Sequence, residues 1–162
     1  MSFAGILSAA DGMRQFDAVN FVVRNMLAAI NTATVVKVVA CTNSGGVDPV
    51  GFVDVIPMVN MRDGAGKKIE HGTIYRCPYM RMQGGASAVI LDPKVDDLGI
   101  VVFADRDISS VVANKGRANP GSARRFNWAD AIYIGGLLNG APTQYVQFNA
   151  AGVNIVSPQK IT

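Results

Sequence analysis

The sequence predicts a mainly β fold: a small OB-type barrel with an N-terminal amphipathic helix and a C-terminal extended tail. Three observations carry that reading. The 162 residues include 17 glycines and 7 prolines, which suits many turns between short strands. Runs rich in β-branched and aromatic residues recur, as in Thr34-Val35-Val36-Lys37-Val38-Val39-Ala40 and Gly99-Ile100-Val101-Val102-Phe103-Ala104. Spacings of three and four link Val19, Val22, Val23, Met26, Leu27 and Ile30 into one stripe of a helix.

The stretch from Leu98 to Ile108 organises the rest. Its apolar run is too short to cross a bilayer and breaks abruptly into Asp105-Arg106-Asp107, as a strand covered on both faces does where it leaves the core. A chain of this length forms one domain with appendages, and 49% hydrophobic against 17% charged residues excludes a disordered chain. A net charge of +3 permits an anionic partner without requiring one. Cys41 and Cys77 belong to no CxxC or Cys/His cluster and read as reduced thiols, and His71 is the only histidine. Residues 1–16 carry Asp11 and no basic region ahead of an apolar block, so they do not read as a secretory leader, and no run reaches the roughly 20 apolar residues of a membrane helix. A chain made soluble in the cytoplasm is expected.

In order, residues 1–15 read as an arm, and Asp17 stands near the N-terminus of the helix, which ends at Asn31-Thr32. Its apolar stripe fits either a lid over the open end of a barrel or a docking face for a neighbouring subunit. Thr34 to Ala40 is the first strand and Asn43 to Pro49 a turn. Val50 to Met61 reads as a long bent strand in which Gly51 permits a bulge and Pro57 requires an edge or a bend. Ile69 to Tyr75 is a third strand, Arg76 to Gly85 is irregular, and Ala86 to Leu91 pairs with Gly99 to Ala104 as a hairpin. A helical turn over Asp107 to Val112, a basic loop from Asn114 to Arg125 and an apolar run from Trp128 to Ile134 follow. Beyond Pro142 the pattern alternates through Tyr145, Gln147, Val153, Ile155 and Ile161, an apolar face too narrow to be stable alone.

The stretch Leu98 to Ile108, then Asn119-Pro120-Gly121-Ser122-Ala123-Arg124-Arg125-Phe126, then Trp128-Ala129-Asp130-Ala131-Ile132-Tyr133-Ile134-Gly135-Gly136-Leu137, resembles the N-terminal OB-fold domain of the central baseplate spike of contractile-tailed phages. Val53-Asp54-Val55-Ile56-Pro57 and Gly85-Ala86-Ser87-Ala88-Val89-Ile90 resemble it too, and together the likeness covers roughly residues 33–160. It implies a homotrimeric structural protein of the virion, assembled in the host cytoplasm. The OB-fold domain would sit on the tail hub and baseplate proteins, followed by a triple-stranded β-helix that punctures the host outer membrane on sheath contraction. Residues 1–32 would then be arm and helix, 33–148 the OB-fold domain, and 149–162 the start of the β-helix. The sequence departs from the family in lacking the β-helix proper and the His-x-His motif of its metal-binding tip, so no metal or other cofactor is expected.

Other constellations are weaker. Asp105 and Asp107, two apart, share a face if the strand continues, as a metal-dependent hydrolase would want, but Arg106, Arg124 and Arg125 are closer at hand as ion-pair partners. Gly64-Ala65-Gly66-Lys67-Lys68 fails the phosphate-loop pattern because Met61 stands where a glycine is needed and Lys68 where Ser or Thr should follow. Single-stranded nucleic acid binding through Phe52, Tyr75, Arg76, Tyr79 and Arg81 is the rival reading, with aromatics too scattered and charge too weak to favour it. The residues expected at subunit interfaces or in structural roles are Asp105, Arg106, Asp107, Arg124, Arg125, Trp128, Val153 and Ile155, with no catalytic set.

Overall fold

A computed structural model describes residues 9–159 apart from Gly64. Most of the expected arm, and Ile161 of the tail, lie outside the described residues. The first element is helix α1 (Ala9–Ala28), which begins well ahead of Asp17. From Gln15 to Ile30 every residue is exposed except Asn20, so α1 is no lid over the barrel. The core is covered near Phe103 by Trp128 instead, whose ring meets Phe103 edge-on at 4.9 Å.

The strands are β1 (Ala33–Cys41), β2 (Phe52–Pro57), β3 (Met61–Arg62), β4 (Lys68–Ile69), β5 (Ile74–Pro78), β6 (Met82–Gly84), β7 (Ser87–Val89) and β8 (Leu98–Phe103). Helix α2 (Ser109–Asn114), a 3-10 turn (Trp128–Asp130), β9 (Ala131–Gly136), β10 (Tyr145–Asn149) and β11 (Gly152–Val156) complete the chain. Five strands form one curled antiparallel sheet, a half-barrel in the order β5-β2-β1-β8-β9. Its outer edges approach each other where the Met80 N–H donates to the Tyr133 carbonyl at 2.9 Å, beside a parallel bridge between Tyr79 and Tyr133.

Alternation explains the core. Val36 and Val38 of β1, Val53 and Val55 of β2, Val101 and Phe103 of β8, and Ala131 and Tyr133 of β9 point inward, while Lys37, Ile56, Val102 and Ile132 on the other face stay half-buried. The organising strand β8 is therefore covered fully on one face only. Its glycine has a packing role: a Cβ at Gly99 would strike the Tyr133 hydroxyl and the ring carbons beneath it. Because Tyr133 is fixed in the core, Gly99→Ala is expected to cost about 1–3 kcal/mol of overpacking, measurable as a lower urea midpoint with unchanged slope.

Several boundaries differ from the sequence expectation for local reasons. The long strand expected from Val50 to Met61 stops at Pro57, beyond its last pairing with β5 at Val55 and Ile74, where the missing N–H interrupts no ladder. Gly51 marks a close approach to the Thr42 and Asn43 side chains, and β2 carries no extra residue: the register slips opposite Asp54, where β5 sets Tyr75 and Arg76 against it. There the Asp54 carboxylate accepts the N–H of Arg76, a residue held at φ 57°. The expected third strand splits, Ile69 pairing with Met61 and Ile74 starting β5. The expected hairpin between 86–91 and 99–104 does not form: β7 pairs with β6, and β8 lies between β1 and β9. Val89 and Leu91 are exposed, so that segment has no inward face to offer β8.

Candidate functional site

The best-built polar site lies where the chain leaves β8. Ala104 donates its N–H to the Asp130 carbonyl, and the strand ends there, so Asp105 and Asp107 do not share a face. Asp105 stays exposed beside Arg106 at 3.7 Å, a pair too solvated to hold structure. Asp107 turns inward instead. Its carboxylate accepts the Ser109 N–H at 2.9 Å, the Ser122 hydroxyl at 2.7 Å and Arg124 Nη2 at 2.8 Å.

Arg124 also grips Asp130, Nε at 2.7 Å and Nη2 at 3.0 Å, in the two-pronged geometry that guanidinium and carboxylate planes favour. Asp130 is fully buried and accepts the Ile108 N–H as well. One cation thus ties the end of β8, the start of α2 and the 3-10 turn before β9 to one another. The hydroxyl and N–H of Ser109, then the Ser122 hydroxyl and the Arg124 charge, hold the Asp107 carboxyl down at about 2 against an ordinary 3.8. Gly121 closes this loop because a Cβ there would press on Ser109 Oγ at 2.5 Å. These carboxylates are held in donor networks, a geometry that fixes loops. Arg125 lies outside the clamp, its guanidinium 5.7 Å from the centre of the Phe126 ring.

A second clamp has no local sequence signal. Arg81 and Asp92 form an ion pair at 2.6 Å, with side chains only 4% and 3% exposed. The Tyr79 hydroxyl donates to the same carboxylate at 2.6 Å, the Gly45 N–H binds its other oxygen, and Arg81 donates to the Asp48 carbonyl. Desolvation opposes ionisation of Asp92, but Tyr79, Arg81 and Gly45 outweigh it and keep the carboxyl below its ordinary range. This joins the 43–49 turn to the ends of the β6–β7 hairpin. The partners are eleven and more residues apart, Arg81 in what the sequence reads as an irregular segment and Asp92 and Gly45 in separate turns, so only the tertiary fold brings them together.

The residues of a candidate nucleic-acid surface are divided by these contacts. Tyr79 is buried in the core and Arg81 is committed to Asp92, while Arg76 covers the half-buried Phe52 ring at 4.5 Å and Tyr75 remains exposed. His71 stacks on Trp128 at 4.7 Å between two open clefts of about 590 and 540 Å³, both lined by Met61, His71 and Trp128. Among the described residues no three His, Cys, Asp or Glu side chains gather as a metal site would need, and no helix is long and apolar enough to cross a membrane. Cys41 and Cys77 are free thiols, and burial followed by the Asp54 charge pushes Cys77 up to about 12.

The remaining feature is apolar and exposed. Strands β10 and β11 pair Val146 with Ile155 and Phe148 with Val153, which puts these four side chains on one face, all exposed. Tyr145 and Gln147 fall on the opposite face from Val153 and Ile155, because the two-residue link at Ala150-Ala151 sets the register. No protein-family model matches the chain, and no curated protein matches its sequence.

Proposed function

We propose that the chain is the hub-proximal part of a homotrimeric tail spike of a contractile-tailed phage, a structural virion protein. In this reading the half-barrel is an OB-type barrel that seats on hub and baseplate proteins, and the C-terminal hairpin starts the intertwined spike. The barrel assignment is supported by the sheet order, with two antiparallel neighbours for β1 and a parallel contact between the outer strands. The observation that carries the assembly is the bare apolar face of Val146, Phe148, Val153 and Ile155 on a two-stranded hairpin. Such a hairpin is marginal in water unless a further surface covers it, and copies of itself around a common axis would do so.

The expected result is a particle of three times 17.1 kDa by light scattering after size exclusion, with Val153→Asp and Ile155→Asp each lowering the mass. A wild-type mass that stays at one chain at high concentration would refute the assembly. Virion placement is tested separately: an antibody against the chain should label the ends of intact tails, and uniform absence of label overturns that part. The burial of Tyr79 and the pairing of Arg81 weigh against the nucleic-acid reading, which requires salt-sensitive binding of single strands.

A further inference from the structure

Helix α1 is bare from Gln15 onward, with Asn20 alone half-buried. Phe16, Val19, Val23, Met26 and Ile30 are 68%, 62%, 44%, 67% and 41% exposed, and no strand of the half-barrel shelters them. Their spacing is three, four, three and four, which is the heptad seam by which like helices coil around one another. Ile30 lies just past the end of the helix at Ala28, in a tightened turn in which Ala29 and Ile30 donate to the carbonyls of Met26 and Leu27. Asp17, Arg24 and Asn25 lie off the seam at outward positions. Val22 and Leu27 flank it on either side, widening the apolar stripe so that one helix can touch two neighbours.

We infer that α1 packs against the α1 helices of other copies of this chain, forming a short parallel coiled coil ahead of the barrels. The inference rests on the homotrimer proposed above and names a contact that the spike alone does not require. Identical copies are the occupant the pattern specifies, since a seam of constant register is complementary to itself. Val23 and Ile30 sit at alternate seam positions with Met26 between them, and Val19 stands at the other kind of position; β-branching at both kinds favours more than two strands. The same rotation axis then serves both ends of the chain, covering α1 at one and the β10–β11 face at the other.

The test uses full-length protein carrying Val23→Cys, at the seam, or Arg24→Cys, one residue round the helix and facing outward. Each is oxidised with copper phenanthroline and run on a non-reducing gel beside the unaltered chain, which controls for Cys41 and Cys77. The expected result is a covalent dimer band at least fivefold stronger for Val23→Cys than for Arg24→Cys. Equal bands, or none for either, overturn the coiled coil. The light-scattering mass separates the two proposals: three chains without seam cross-linking leaves the trimer standing and removes the helix contact, whereas a single chain removes both.

Discussion

Replacing Tyr133 with alanine is expected to lower the stability of the half-barrel by about 3–5 kcal/mol, the usual range for deleting a large buried ring. Tyr133 is 2% exposed and stands at the point where the sheet edges meet. Its backbone carbonyl receives Met80, and its ring fills the space left by the absent side chain of Gly99. The substitution therefore opens a cavity between β8 and β9 that two rigid strands cannot close. At about 2–4 °C per kcal/mol for a chain of this size, the thermal midpoint falls by roughly 6–20 °C. Scanning calorimetry checks it, and a fall no larger than that of Tyr75→Ala, at an exposed tyrosine of the neighbouring edge strand, would show that the ring is not a keystone of closure.

The second large effect concerns Arg124, exchanged for methionine to keep the chain length and remove the charge. Asp107 and Asp130 would then remain buried without their shared cation, and removing one partner of a buried ion pair is strongly destabilising. At neutral pH the thermal midpoint of Arg124→Met should fall well below that of Arg125→Met, whose guanidinium is exposed. The pH dependence carries the sign. The folded pKa of Asp107, about 2, lies below its ordinary 3.8, so its contribution is complete above about pH 4 and disappears as pH falls through 2. The wild-type protein should lose stability in that window. The gap between wild type and Arg124→Met should narrow there, because a protonated Asp107 has no charge for Arg124 to match. A gap that stays constant from pH 6 to pH 2 would mean that Arg124 acts through packing alone.

Both effects belong to residues whose type was readable in the sequence and whose partners were not. Asp107 and Arg124 stand out as charges next to apolar runs, and an ion pair between them is one of several pairings the sequence offers, although 17 residues separate them. Asp130 does not, since it lies inside the run Trp128 to Ile134 and is fully buried only because a 3-10 turn aims it at Arg124. Arg81 and Asp92 were less visible still: each sits in a turn-rich stretch where a charge normally means solvent, and burial became possible only through mutual pairing and the donors of Tyr79 and Gly45.

By itself the sequence determined the mainly β character, the strands read at 34–40 and 99–104 that form over 33–41 and 98–103, the apolar run at 128–134 that yields the strand over 131–136, the amphipathic helix, and the alternation of the tail, because each is a local periodicity that backbone geometry imposes on side chains. Tertiary structure alone decided which strands are neighbours, leaving β8 between β1 and β9 and denying it the partner adjacent in sequence. It also decided that α1 stands clear of the half-barrel, whereas the hairpin's apolar face of Val146, Phe148, Val153 and Ile155 follows from the short link at Ala150-Ala151. The physical reason is common to both tertiary choices. Periodicity says that a side chain must face something apolar, but sheet pairing and register are chosen by the whole core at once, through contacts between residues far apart in the chain.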